Sequence, residues 1–193
     1  MVKVRSNIPD RLPRELSGLS GTIGVGTVTD PYQGAEGRFM LTQRCLEILR
    51  DRGFRIHLHT KSDLILRDIE LISSMRGEVG VTITSVSDRL SKITEPGAPL
   101  PGRRLEALRR LTESGVDAYA LIGPVLGHLE GCEAELVDAV ASTGARRVYI
   151  DRLNPRPLLM ERLNRMGIRG SDRARERVRA LAADAGLWVG DVF

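Results

Sequence analysis

Apolar and polar positions follow two periods along this chain, and the two periods take turns. Five short runs alternate residue by residue, as strands do: Thr22 to Val28, Phe54 to Thr60, Val79 to Thr84, Val116 to Ile122 and Arg146 to Ile150. Between them the spacing is helical. RFMLTQRCLEILRDRG places Phe39, Leu41, Cys45, Leu46, Ile48 and Leu49 on one broad side and stops at Gly53. SDLILRDIELISSM opens on Ser62 or Asp63 as a cap. GRRLEALRRLTESG carries Leu105, Leu108 and Leu111 and ends at Gly115, and CEAELVDAVASTG ends at Gly144. Strand and helix in repeated alternation, with short connections, predict an α/β chain with a parallel sheet and right-handed crossovers. Pro155 to Leu187 reads as two further helices, from Pro157 to Met166 and from Asp172 to Ala185, and Trp188 to Phe193 reads as a last strand or an edge segment. The proline- and glycine-rich stretch Thr94 to Gly102 is neither helix nor central strand and lies between a strand end and a helix start, where functional loops lie.

The strand faces differ in kind. Phe54, Ile56 and Leu58 share one face, and Arg55, His57, His59 and Lys61 the other. Val81 and Ile83 oppose Thr82 and Thr84. Ala118, Ala120 and Ile122 oppose Asp117, Tyr119 and Leu121. Val148 and Ile150 oppose Arg147, Tyr149 and Asp151, and Ile23 and Val25 oppose Gly24 and Gly26. A doubly wound sheet is apolar on both faces; here one face of every strand is polar or small. Two readings stay open: the lined interior of a closed or partly closed barrel, or an ordinary sheet whose histidines and threonines are hydrogen-bonded in the core.

Composition narrows the partners. The 193 residues suit one domain, with 155–193 as a helical extension of it, and 41% hydrophobic residues suffice for a core. No apolar run is long enough to span a membrane and none near the N-terminus resembles a signal peptide, so a cytoplasmic protein is the expectation. Aromatic residues at 4% argue against an aromatic nucleic-acid platform. The net charge of +4 permits an anionic partner, nucleic acid included, without requiring one. Arg103, Arg104, Arg109 and Arg110 are expected to form a solvated helix face.

Parallel barrels carry their sites at the C-terminal ends of the strands. Those ends here hold Asp30, Pro31 and Tyr32; Lys61 and Ser62; Thr84 and Ser85; Gly123, Pro124 and His128; and Asp151, Arg152 and Asn154. Lysine occurs only at Lys3, Lys61 and Lys92, so Lys61 stands out: it fits a carboxylate or phosphate of a ligand, or a salt bridge to Asp30 or Asp63. His57 and His59 have the i,i+2 spacing of strand metal ligands but no evident third ligand, so no metal site is read. Cys132 lies at a helix start and Cys45 within a helix; both read as structural, and neither can hold an iron–sulfur cluster for this chain alone.

The segments GVGTVTDPYQGAEGRFMLTQRCLEIL, HLHTKSDLILRDIELI, TITSVSDRLSKITEPGAPLPGRRLEALRRLTESGV and YALIGPVLGH lie in order over about residues 20–130. Together they resemble the radical S-adenosylmethionine proteins related to spore photoproduct lyase. The resemblance implies an incomplete, TIM-like parallel (β/α) barrel with five of its six strands present and C-terminal helices. It also implies S-adenosylmethionine and a [4Fe–4S] cluster as cofactors, with reductive cleavage to a 5'-deoxyadenosyl radical. By the same resemblance Thr29, Asp30, Tyr32 and Gln33 form the loop after the family's second strand. Lys61, beside Ser62, lies near the methionine carboxylate, Thr84 or Ser85 supplies a hydroxyl, Glu95 and Pro96 belong to a shared loop, and Gly123 and Pro124 line the adenosyl pocket. The family's CxxxCxxC loop has no counterpart, and residues 1–19 resemble the segment that follows it. Three expectations follow from the resemblance: the C-terminal part of a longer protein, one product of a split gene with a cluster-bearing partner, or a degenerate relative. The first two predict an exposed edge at the first strand, open to that partner or to self-association. The chain alone is expected to be inactive. The alternative is a non-catalytic α/β binding or scaffold protein that keeps a nucleotide-like pocket or only the fold.

Overall fold

The computed structural model describes residues 3–191. Six strands form one sheet in the order β1-β2-β3-β4-β5-β6, every neighbouring pair parallel: β1 Thr22–Val25, β2 Arg55–Thr60, β3 Gly77–Thr82, β4 Asp117–Ile122, β5 Arg147–Ile150 and β6 Trp188–Asp191. The helices are α1 Ile8–Glu15, α2 Glu36–Phe39, α3 Leu41–Asp51, α4 Ile69–Ser73, α5 Asp88–Thr94, α6 Pro101–Glu113, α7 Glu133–Ala141, α8 Pro157–Arg165 and α9 Asp172–Asp184. None of the described helices is long and apolar enough to cross a membrane.

Strand order equal to chain order decides the architecture. Each right-handed crossover then drops its helix on the same side, and the sheet curls as a barrel wall; a doubly wound sheet would reverse direction partway. The apolar side accordingly meets the helices. Ile56, Leu58, Val79, Val81, Ala118, Ala120, Ile122, Val148 and Ile150 are buried against Leu46 and Leu49 of α3, Leu108 and Leu111 of α6, Leu136 and Val140 of α7, and Val178 of α9. Among the described residues β1 pairs only with β2, and β6 only with β5, so the wall they form is open.

Several expectations are corrected. Among the described residues the sheet has six strands, the five read as strands and a sixth from the tail read as a last strand or an edge segment: after α9 the Trp188 amide donates to the Arg146 carbonyl, and Trp188–Asp191 pair with Arg147–Ile150. Val192 and Phe193 lie outside the described residues. The C-terminal extension is therefore not purely helical, because α9 and β6 form one more unit of the wall. The helix expected around Cys45 is two, divided at Met40, which takes the left-handed conformation at φ 49°. The helix opened by Ser62 begins as a 3-10 stretch over Asp63–Asp68 before α4, with the Ser62 hydroxyl accepting from the Leu64 amide as its cap. α5 falls in a stretch the periodicity left unread; Ser87 caps it by accepting from the Leu90 amide.

Candidate functional site

Asp30 organises the first strand end. Its carboxylate accepts from the Tyr32 amide at 2.9 Å, the Thr60 hydroxyl at 2.7 Å and the Lys61 amide at 2.7 Å, which clamps the loop after β1 onto the end of β2. Tyr32 is buried behind it. Its hydroxyl donates to Asp68 at 2.9 Å, and Asp68 also accepts from Gln43 and Arg67. Burial first, and then Asp68, hold the Tyr32 phenol protonated well above the ordinary tyrosine range. Tyr32→Phe should destabilise the fold by about 1–2 kcal/mol, because Asp68 loses one buried donor and keeps two; urea unfolding reads this directly, and an unchanged midpoint would refute the role.

Beyond this clamp the side chain of Lys61 turns to Glu95, at 2.5 Å. Glu95 also accepts from the Thr84 hydroxyl at 2.5 Å and the Arg104 guanidinium at 2.8 Å. Burial alone would push the Glu95 carboxyl up; Lys61 and Arg104 outweigh it and bring it down to about 2. The partner of Lys61 is thus neither Asp30, which takes only its amide, nor Asp63, which pairs with Arg103.

Arg104 corrects a second expectation. It is 1% exposed, not solvated, and donates to the Pro99 and Thr82 carbonyls as well as to Glu95. A signal was present: Arg104 lies on the helical stripe of Leu108 and Leu111. Arg103 and Arg110 are exposed, and Arg109 is paired with Glu106 and Glu113 along the helix.

These groups border a cavity of about 360 Å³ at the C-terminal ends of β2, β3 and β4. Lys61, Thr84, Glu95, Pro96, Pro124 and His128 line it, and Leu159, Arg162 and Leu163 of α8 close one side. Arg162 reaches the Thr94 carbonyl at 3.2 Å, tying α8 to the proline-rich loop. Both ring nitrogens of His128 are buried without a hydrogen-bond partner. Burial lowers its pKa, opposed by the Thr84 carbonyl, which lies near the ring without meeting hydrogen-bond geometry, and by Glu95, so the ring favours the neutral form. A buried, unpartnered imidazole beside a cavity calls for a ligand or a water. Another cavity, about 260 Å³, opens at the N-terminal ends beside Arg55, Gly77 and Asp117, the end where barrels concentrate stability rather than sites.

Of the residues expected at the site, Lys61, Thr84, Glu95 and Pro124 come together on this cavity. Asp30, Tyr32, Ser62 and Ser85 are spent on the backbone around it: Ser85 accepts from the Ser87 amide as Ser62 does from Leu64. Thr29 and Gln33 are exposed on the loop after β1. Gly123 faces Asp151, where an added Cβ would come within 2.5 Å of the aspartate Cβ. His128, read along the chain only as a strand-end residue, joins Lys61, Thr84, Glu95 and Pro124 on the cavity, and Arg104 and Arg162 are site residues that the sequence reading does not reach.

The polar face of the sheet forms the inner surface of the wall. His57, His59, Tyr119, Tyr149 and Trp188 make a row of edge-on rings with successive centroids 4.6 to 5.9 Å apart. Tyr119 lies across Gly80, where a Cβ would meet its ring at 2.7 Å, so only glycine there lets the row pass. Arg147 sits over the Tyr119 ring and pairs with Glu78 and Asp117. Among the described residues, no three His, Cys, Asp or Glu side chains gather around one metal position. Cys45 is half-buried and its thiol is pushed up to about 11, by burial first and by Glu36; Cys132 is exposed just before α7.

No family model matches the chain. Among solved structures it is similar to spore photoproduct lyase complexed with dinucleoside spore photoproduct, at a TM-score of 0.70 and 14% identity, over 99% of this chain and 68% of that one. It is also similar to SuiB of Streptococcus suis bound to S-adenosylmethionine, at a TM-score of 0.60 and 13% identity, over 97% of this chain and 42% of that one. The fold is that of the radical S-adenosylmethionine barrels. Two uncharacterized proteins are nearer in sequence. One, of Methanocaldococcus jannaschii, is 36% identical over 129 residues, 66% of this chain and 49% of the relative. The other, of Mycobacterium tuberculosis, is 32% identical over 165 residues, 80% of this chain and 48% of the relative. The chain therefore spans about half the length of the curated relatives it matches. In the radical S-adenosylmethionine barrel frame, the 360 Å³ cavity lies at the strand ends that form the mouth.

Proposed function

We propose that this chain is the S-adenosylmethionine-binding part of a radical-type barrel and that the iron–sulfur cluster is supplied by residues outside it. The observation that carries the reading is the cavity at the strand ends, where Lys61 and an unpartnered His128 face one space. Lys61, Arg104 and Arg162 outnumber the carboxylates Glu95 and Asp30, which favours an anionic group such as the methionine carboxylate. Lys61 would hold that carboxylate, Thr84 a neighbouring polar atom, and His128 a group that both donates and accepts. When bound, S-adenosylmethionine would supply a sulfonium leaving group, which these residues would hold in place. The cluster is a different matter. Cys45 in α3 and Cys132 before α7 do not provide three clustered thiolates, so no radical step is assigned to this chain. The free edge of β1 is where a preceding strand with its cluster loop would add, from the same protein or from a partner chain. A nucleic-acid substrate for the complete assembly accords with the similarity to a lyase solved with a dinucleoside photoproduct.

Isothermal titration tests the ligand. The intact chain should bind one S-adenosylmethionine, and Lys61→Ala should weaken it about tenfold or more, the worth of one charge-assisted contact. No heat at millimolar S-adenosylmethionine or 5'-deoxyadenosine would leave a scaffold that keeps only the fold.

A further inference from the structure

On the inner surface, away from the strand-end cavity, three ligand atoms converge. His57 and His59 project from the same face of β2 and bring their Nε2 atoms to 3.1 Å from each other. The Tyr119 hydroxyl of β4, passing over Gly80 of β3, lies 2.6 Å from His57 Nε2 and also in contact with His59 Nε2. From this juxtaposition we propose that His57, His59 and Tyr119 form a three-ligand site for a divalent transition-metal ion of the imidazole-preferring class, with zinc as the reference ion.

Proton count argues first. Three close contacts join these atoms, and in no tautomer can two imidazoles and one phenol place a separate proton along each of the three. At least one contact is then left without a proton of its own, which a shared cation relieves. Geometry argues second. Zinc bonds of about 2.0–2.1 Å in a tetrahedron set ligand nitrogens about 3.3 Å apart, so the histidine pair needs to open by only a few tenths of an ångström. The phenol oxygen must withdraw by less than about 1 Å. Charge argues third. Glu78 lies 3.8 Å from His57 and, with Asp117, pairs with Arg147, so a carboxylate stands beside the site. Access argues fourth: the His57 side chain is 36% exposed, leaving an open coordination position toward the inner space. Imidazole and phenolate select zinc, copper, iron or nickel over magnesium and calcium.

The test uses the whole chain without a histidine tag. Zinc titrated against a chromophoric chelator should saturate at one ion per chain. Copper(II) on the same protein should show a phenolate charge-transfer band that Tyr119→Phe removes. His57→Gln and His59→Gln should each weaken zinc about tenfold or more, with the fold verified by circular dichroism. The proposal fails if the unmutated chain binds no saturable zinc, or if the histidine variants bind it unchanged. A histidine variant that unfolds does not rescue it, because stoichiometry and the copper band are read on the unmutated chain. S-adenosylmethionine binding is measured separately, so neither result stands in for the other.

Discussion

Glu95→Gln should destabilise the protein by about 3–5 kcal/mol, because it leaves the guanidinium of Arg104 buried without its counter-charge. Glutamine keeps the shape and can still accept from Thr84, so the loss isolates the charge. Urea unfolding at neutral pH measures it, and a loss below about 1 kcal/mol would show that Arg104 is satisfied by its carbonyl partners alone. The pH dependence carries an independent signature. The Glu95 carboxyl is depressed in the folded state, from 4.5 to about 2, so its contribution is fully present above the unfolded value. As pH falls from about 5 toward 2 the contribution, about 3 kcal/mol, drains away. The gap between the native protein and Glu95→Gln should therefore narrow on acidification. A gap that stays constant down to pH 2 would mean that the carboxyl is not depressed.

Gly26→Ala should cost about 3 kcal/mol and lower the melting temperature by about 10 °C. Gly26 has φ +94°, a conformation costly for any residue with a Cβ, and the added carbon would fall inside contact distance of the His59 carbonyl and 2.9 Å from Pro31 Cδ. The His59 oxygen belongs to the backbone of β2 and has little freedom to yield. Gly26 opens the loop that Asp30 clamps to Lys61, so relaxation there should also weaken S-adenosylmethionine. Calorimetry and titration on the same sample test both, and an unchanged melting temperature would show that the loop adapts freely.

Much of this could be read along the chain because it depends on neighbours close in sequence. Period-two runs located the first five strands to within about three residues, and Ser62 before its 3-10 stretch was legible as a cap. Asp30, Lys61, Thr84 and Pro124 were legible as strand-end residues, since a parallel sheet exports whatever follows each strand to one rim. The misreadings share a cause. Arg104 lies on an apolar stripe, but only Glu95 from a neighbouring loop shows why a guanidinium can be buried there. Trp188–Asp191 reads along the chain as a last strand or an edge segment, and only the edge that β5 offers decides for a strand. The break at Met40 follows from α2 and α3 taking separate paths, which no local propensity records.

By itself, then, the sequence determined the alternation of strand and helix, the apolar face of each strand, and the absence of clustered cysteines. These rest on periodicity and composition, which need no knowledge of distant contacts. Tertiary structure alone decided that the polar faces form one inner surface and that Lys61 pairs with Glu95. It also decided that His128 is left unpartnered beside a cavity, and that Tyr119 crosses Gly80 to reach two histidines some sixty residues earlier. The reason is physical: each depends on the register and curvature of a sheet whose strands meet only after the chain has closed long loops between them.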